Sequence, residues 1–179
     1  METTLEKNMP RILGKLKEEL GRKNFHSLPR LSKVVISVGV GKKKDAKWNE
    51  IVIDSLGKIA GQKARTTVAK KSIATFKVRE GDVSGVTVTL RGARMLGFLD
   101  KLVRAAIPRM RDFRGIDTKI VDDMGNATIG IREHTIFPET ADEDNRNVFG
   151  MAITIATTAR TKAEALSLLR LVGIPFKKS

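Results

Sequence analysis

Two segments alternate apolar and polar residues, and they restrict the fold of this chain more than any other feature. KVVISVGVG (33–41) and DVSGVTVTLRG (82–92) carry isoleucine, valine or leucine at every second position over most of their length. A period of two is typical of a strand with one buried and one exposed face. We therefore predict a sheet that is covered on one side, with Ser37, Thr87, Thr89 and Arg91 on its open side.

Amphipathic helices are interspersed with these strands. Apolar residues recur every three or four positions near the N-terminus, in 45–60 and in 93–107, which indicates helices. TKAEALSLLRLVG (161–173) adds a capping box from Thr161 to Glu164 at its start and a glycine at its end. We expect Asn8 to cap the N-terminal helix, with Pro10 in its first turn, and Pro108 to end the third helix.

Further strands are predicted at ATIGI (127–131) and MAITIAT (151–157). Strands and helices alternate along the chain without a repeat or a linker. This order favours an α+β fold in a single domain, residues 1–179, with an antiparallel sheet that has helices packed on one face and a polar face left open.

The charge of the chain predicts a polyanionic partner. Its 179 residues have a formal net charge of +14, and residues 1–90 carry nineteen basic and nine acidic side chains. Residues 55–79 contain seven basic residues and no acidic one. We therefore distinguish a basic half, about 1–92, from a less basic half with an acidic loop, about 93–179. Nucleic acid and an anionic membrane surface both fit such a balance.

Several kinds of chemistry are excluded or disfavoured. The chain has no cysteine, and its two histidines, His26 and His134, are far apart in sequence. GVGKKK (39–44) lacks the spacing of a phosphate-binding loop. We predict no enzyme activity, no metal and no cofactor. Without a long apolar run or a secretory signal, we expect a soluble intracellular protein.

The scarcity of aromatic residues and the absence of DNA-binding motifs indicate which kind of nucleic acid the chain would bind. Eight residues are aromatic and none is tyrosine, so base stacking is not expected to dominate binding. No helix-turn-helix or zinc-finger spacing is present. Folded RNA, recognised by its shape through phosphates and 2′-hydroxyls, is the remaining nucleic-acid class. Nonspecific binding to an anionic membrane or another polyanion stays open as the alternative.

Five long motifs carry a resemblance to a known family. They are VVISVGVGK (34–42), GQKARTTVAKKSIATFKVREG (61–81), VTLRGARMLGFLDKL (88–102), IPRMRDFRG (107–115) and FGMAITIATTARTKAEALSLLRLVGIPF (149–176). Their order and sequence resemble the bacterial form of the fifth large-subunit ribosomal protein family. Members of that family bind 5S rRNA and help to form the central protuberance of the large subunit.

The resemblance implies partners and residues. It implies contacts with 5S rRNA, large-subunit rRNA, P-site tRNA, a protein of the small-subunit head and neighbouring proteins of the central protuberance, in the cytoplasm, with no membrane. The implied 5S rRNA-binding residues are Lys33, Ser37, Gly39, Gly41, Lys42, Gln62, Lys63, Arg65, Thr87, Thr89 and Arg91. The implied tRNA-binding residues are Lys70, Lys71, Ser72, Phe76, Lys77 and Arg79.

The contact with the small subunit is expected on two further segments. Its candidate residues are Arg109, Arg111, Asp112, Arg114, Glu139, Asp142, Glu143 and Asp144. The sequence departs from the family pattern at Ser37, where members usually have asparagine, and at Ala64, where they have proline. Serine reaches less far than asparagine and makes fewer hydrogen bonds, so the contact at Ser37 is expected to differ.

Overall fold

A computed structural model of the chain describes residues 4–41, 46–111, 113–142 and 147–177. The α-helices in these residues are α1 (Thr4–Leu20), α2 (Ala46–Ala60), α3 (Gly92–Lys101) and α4 (Lys162–Val172). The strands are β1 (Leu31–Gly39), β2 (Arg65–Val68), β3 (Val83–Leu90), β4 (Ala127–Ile131) and β5 (Met151–Thr157).

The strands form one open sheet in the order β2-β3-β1-β5-β4, and the sheet is antiparallel. The predicted α+β class is therefore confirmed. The sheet places β3 and β1 side by side, although α2 and β2 lie between them in the chain.

The side chains of the strands alternate in burial, as predicted for a sheet with one covered face. In β1 the alternate residues from Val34 to Val38 are buried, and in β4 those from Ala127 to Ile131 are buried. Thr87 is half-buried and Thr89 is exposed, while Val88 between them is buried. The polar residues of β3 therefore lie on the open face, as the period of two indicated.

The limits of α4 follow from its two caps. The Thr161 hydroxyl accepts a hydrogen bond from the Glu164 amide at 3.4 Å, and the Glu164 carboxylate accepts one from the Arg160 amide at 3.1 Å. At the other end Gly173 adopts the left-handed conformation (φ 106°), and its amide donates to the Arg170 carbonyl at 3.0 Å. The capping residues predicted from sequence are confirmed.

Two expectations about proline are wrong. Helix α1 begins at Thr4, so Asn8 and Pro10 both lie inside it, and neither is at its first turn. Burial of Leu5 extends the helix toward the N-terminus, because this side chain belongs to the core. Pro108 does not end the third helix, which continues as a π-helical turn and then a 3₁₀ turn that contains Pro108. Proline is tolerated there because the first residues of a helical turn need no amide donor.

Contacts within the chain define two compact units. The first unit comprises residues 1–34, 90–129 and 154–179, and the second comprises 35–89 and 130–153. In the first unit α1 packs on both α3 and α4, and Leu16, Leu99 and Leu168 are fully buried in its core.

In the second unit α2 packs against the short 3₁₀ turn Pro138–Thr140. Trp48 of α2 meets the ring of Phe149 edge-on, with ring centroids 6.3 Å apart. The predicted division of the chain near residue 92 stays a prediction.

Candidate nucleic-acid interface

Strands β2 and β3 bring two predicted RNA-binding residues together. Arg65 of β2 is the register partner of Thr87 of β3. Residues directly opposite in an antiparallel pair have Cβ atoms about 4.5–5.5 Å apart and project to the same face. Arg65 is exposed and Thr87 is half-buried, so a cation and a hydroxyl are adjacent on the open face. This pair can bind a phosphate and a neighbouring 2′-hydroxyl of RNA.

Gly85 lies on this face of β3, at a point where the neighbouring strands approach closely. Thr67 is its register partner, and a Cβ at Gly85 would lie 2.9 Å from the Val38 carbonyl oxygen and 3.0 Å from the Thr67 hydroxyl. Only glycine therefore fits where the strands approach so closely. Gly85 is not among the residues predicted from sequence, although a glycine inside an alternating strand is a signal that could have identified it.

The glycines at the end of β1 are not required by packing. A Cβ at Gly39 would meet nothing within 4 Å, and one at Gly41 would have the Ser84 carbonyl oxygen as its nearest neighbour, at 3.8 Å. Ser37 of the same strand is half-buried, and both glycines are exposed. The end of β1 therefore leaves open space over its backbone. Lys42, which was predicted to extend this site, lies outside the described residues.

Gln62 and Lys63 follow α2 and lie beside the end of β3. The Gln62 side-chain amide donates to the Thr89 carbonyl oxygen at 3.3 Å, which connects the loop to the strand. Lys63 is exposed, whereas Ala64 is buried. Gln62 therefore has a structural contact at the same place where it was predicted to bind RNA.

Two predicted residues of the same group belong to the first unit. Lys33 is half-buried in β1, and Arg91 is exposed at the residue that precedes α3. The backbone of Arg91 is extended (φ −139°, ψ 162°). Both cations are thus available at the protein surface.

Residues 69–82 form a hydrogen-bonded projection, which we call the basic loop. The amide of Ala69 donates to the Asp82 carbonyl oxygen at 2.9 Å, and that of Ile73 donates to the Val78 carbonyl oxygen at 2.9 Å. The Asp82 carboxylate accepts from the Arg79 amide at 3.0 Å. Asp82 lies shortly after residues 55–79, which contain no acidic residue, and it has a structural role in this loop.

All six predicted tRNA-binding residues in the basic loop are exposed. They are Lys70, Lys71, Ser72, Phe76, Lys77 and Arg79. Phe76 is 72% exposed, which is unusual for an aromatic side chain. The Ser72 hydroxyl accepts from the Glu80 amide at 2.9 Å, so one of its acceptor positions is already used. Ile73, which the sequence analysis did not assign, is 48% exposed in the same loop.

Lys77 has the only non-glycine backbone with positive φ in the described part of the chain. Its φ of 52° and ψ of 36° place it in the left-handed region, and its amide donates to the Ala74 carbonyl oxygen at 3.0 Å. This turn lies beside a shallow depression of about 640 Å³ lined by Ser72, Ala74, Lys77, Val78, Arg79 and Asp82. The basic loop therefore combines cationic side chains with a concave surface.

The residues predicted to contact the small subunit lie in both units. Arg109, Arg111 and Arg114 are exposed in the first unit, and Glu139 and Asp142 are exposed in the second. Asp112, Glu143 and Asp144 lie outside the described residues. Exposure makes these side chains available to a partner, and their role stays a prediction.

The buried histidine has a structural role. His134 is fully buried, its ring stacks on that of Phe149 with centroids 4.0 Å apart, and its Nδ1 accepts from the Phe149 amide at 3.3 Å. Among the described residues, no group of three or more potential metal ligands comes together. No helix in that part of the chain is long and apolar enough to cross a membrane.

Comparisons with known proteins agree with the resemblance seen in the sequence motifs. A family model described as "Ribosomal protein L5" matches residues 24–79, and one described as "ribosomal L5P family C-terminus" matches residues 83–176. The chain belongs to the uL5 family. These are proteins of the large ribosomal subunit, and the prediction that the chain is not an enzyme is confirmed.

Relatives of the uL5 family align with nearly the full chain. The large ribosomal subunit protein uL5 of Desulfatibacillum aliphaticivorans is 49% identical over 179 residues, covering 99% of this chain and 100% of the relative. That of Natranaerobius thermophilus is 46% identical over 177 residues, covering 98% and 99%. The similarity therefore includes both the sheet residues and the basic loop.

Proposed function

We propose that this uL5 protein is a structural constituent of the large ribosomal subunit that binds 5S rRNA through the open face of its sheet. The adjacent Arg65 and Thr87 support this proposal most directly, because they combine a cation with a hydroxyl on the open face of the sheet. Such a pair suits the phosphates and 2′-hydroxyls through which folded RNA is recognised.

The second unit supplies most of this proposed surface. Ser37 and Gly39 lie along β1 and Gly41 follows it, while Thr89 lies along β3 and Lys63 is exposed after α2. The open space over Gly39 allows an RNA backbone to approach the protein backbone closely. Gln62 of the same unit is a further proposed 5S rRNA contact, and Lys33 and Arg91 of the first unit are proposed contacts on that unit's own surface.

The basic loop is proposed to contact the P-site tRNA. Its hydrogen-bonded base presents Lys70, Lys71 and Lys77 to solvent. Phosphate neutralisation by such cations releases counterions and is independent of sequence. A loop with its own internal hydrogen bonds can make this contact separately from the sheet, which would leave the sheet for 5S rRNA.

A protein of the small-subunit head is the proposed partner of the remaining exposed charges. Glu139 and Asp142 are suited to a basic protein surface, and Arg109, Arg111 and Arg114 to an acidic one or to RNA. Together with neighbouring proteins, these contacts would give the chain its place in the central protuberance.

The test of this proposal is selective RNA binding. The full chain is titrated with 5S rRNA and with a structured RNA of equal length, over a series of salt concentrations. We expect 5S rRNA to be preferred at physiological salt, because shape recognition adds to the electrostatic attraction. Equal affinities that fall together as salt rises would contradict the proposal and favour nonspecific polyanion binding.

A further inference from the structure

Phe25, in the turn between α1 and β1, is an exposed aromatic residue outside the sheet and the basic loop. Its side chain is 41% exposed and lies on the short 3₁₀ turn Phe25–Ser27. His26 is exposed beside it, and the two rings meet edge-on with centroids 6.5 Å apart. None of the contacts proposed above involves this turn.

Hydrogen bonds hold the turn in place. The Asn24 side chain accepts from the His26 amide at 2.9 Å, and the Ser27 hydroxyl donates to the Asn24 carbonyl oxygen at 2.7 Å. The guanidinium of Arg22 donates to the Ser27 carbonyl oxygen and also forms an ion pair with Glu164. These hydrogen bonds hold the backbone of the turn, so binding at Phe25 requires little further ordering of the backbone.

Arg30 provides a cation on one face of the Phe25 ring. Its guanidinium carbon lies 5.5 Å from the ring centroid, and its backbone is held by two hydrogen bonds with Thr158, both 2.9 Å long. The Arg30 Nε is buried and has no hydrogen-bond partner among the described residues. The guanidinium therefore covers one face of the ring. A partner can contact only the exposed remainder of the Phe25 side chain.

The charges around the turn indicate which partner fits. Arg30 is the cation that contacts the ring, and Lys23 is exposed two residues before Phe25. Glu18 and Glu19 are exposed at the end of α1, and the carboxylate of Glu164 is paired with Arg22. These cations would add no binding energy to a contact with an apolar side chain of another protein. A nucleotide would gain from both features, since its base can stack on an aromatic ring and its phosphate is attracted to the cations.

We propose that Phe25 is a stacking site for an unpaired base of RNA, with His26 at its edge and Arg30 behind the ring. The site takes a single-stranded or bulged nucleotide rather than a duplex, because a base must leave its own stack to reach the ring. Base stacking at Phe25 differs in chemistry from the shape recognition proposed for the sheet. The stacking site does not depend on the identity of the RNA that binds to it.

The test compares Phe25→Leu with the full-length wild-type chain. The probes are a single-stranded RNA of about 16 nucleotides and the duplex of the same length, close to the span that a double-stranded RNA-binding domain contacts. Leucine keeps an apolar side chain but has no aromatic face. We expect Phe25→Leu to bind the single strand about tenfold more weakly and the duplex as well as wild type does. The slope of affinity against salt should stay unchanged, because no charge is removed.

Two further variants complete the experiment. Phe25→Trp keeps an aromatic face and should retain the affinity for the single strand, while Met124→Ala, at another exposed apolar residue (74% exposed), should behave as wild type. Unaltered single-strand binding by Phe25→Leu would overturn the proposal and favour a protein partner for this turn. An equal loss on single strand and duplex would also overturn it, since stacking of an unpaired base would then not be the cause.

Discussion

Gly85 lies so close to the carbonyl group of Val38 that a Cβ would come within 2.9 Å of its oxygen. The Thr67 hydroxyl, 3.0 Å from the same position, closes the space from the side of β2. Backbone atoms cannot move aside as a flexible side chain can. A side chain larger than that of glycine therefore does not fit at this point of the sheet.

Gly85→Ala is therefore expected to destabilise the protein by about 1–3 kcal/mol, as overpacked sites do. Gly39→Ala is the matched control in the neighbouring strand, where an added Cβ meets nothing within 4 Å. It should change the free energy of unfolding by less than about 1 kcal/mol and can be slightly stabilising. Urea denaturation of both variants measures the difference, and equal destabilisation would show that the close approach is not the cause.

Arg65→Gln is expected to weaken 5S rRNA binding. Removing one phosphate contact should lower the slope of log affinity against log salt by about 0.7–0.9. Arg132→Gln removes the same charge from another exposed residue of the second unit and should have a smaller effect. Filter binding over a salt series provides the measurement. Identical effects of the two substitutions would indicate that only net charge matters.

Replacing Lys70, Lys71 and Lys77 together by alanine should weaken tRNA binding and spare 5S rRNA binding. These lysines lie on the basic loop, whose backbone hydrogen bonds do not depend on their side chains. The charge-matched control replaces Lys7, Lys17 and Lys119, which are exposed elsewhere. Binding of both RNAs to each variant is measured at physiological salt. Loss of both affinities to the same degree would argue against a division between loop and sheet.

His134→Phe is expected to destabilise the protein although it preserves the stacked ring. Phenylalanine has no acceptor for the buried Phe149 amide, and an unsatisfied buried donor costs about 1–3 kcal/mol. His26→Phe is the control at an exposed residue and should stay within about 0.5 kcal/mol of wild type. Thermal and urea unfolding measure both changes. Equal stability of the two variants would mean that the His134 hydrogen bond contributes little.

Much of the local structure could be predicted from sequence because it depends on neighbours along the chain. The alternation of apolar and polar residues around Val88 predicted the buried face of β3. Thr161 and Gly173 predicted the two ends of α4. The same local reasoning failed at Pro10 and Pro108. Whether a helix continues past a proline depends on what its apolar side chains pack against, and Pro10 lies within a helix that begins at Thr4.

Some features of the candidate interface could likewise be predicted from sequence, and others could not. The cations of the basic loop could be identified from sequence, because residues 55–79 contain seven basic residues and no acidic one. The structural roles of Asp82 and Gly85, and the exposure of Ile73, were not recognised. The pairing of Asp82 with Ala69 and the close contact of Gly85 with Val38 depend on how residues distant in the chain come together.

The sequence by itself determined the α+β class, the polar and apolar faces of the strands, and the family, through motifs distributed over nearly the whole chain. Only the tertiary structure decided the strand order β2-β3-β1-β5-β4, the pairing of Arg65 with Thr87, and the cation over Phe25. The periodicity of apolar residues indicates which side of a helix or strand is buried, because it depends only on the residues of that one segment. Register and side-chain contact involve residues far apart in the chain, and their positions follow from packing of the whole fold.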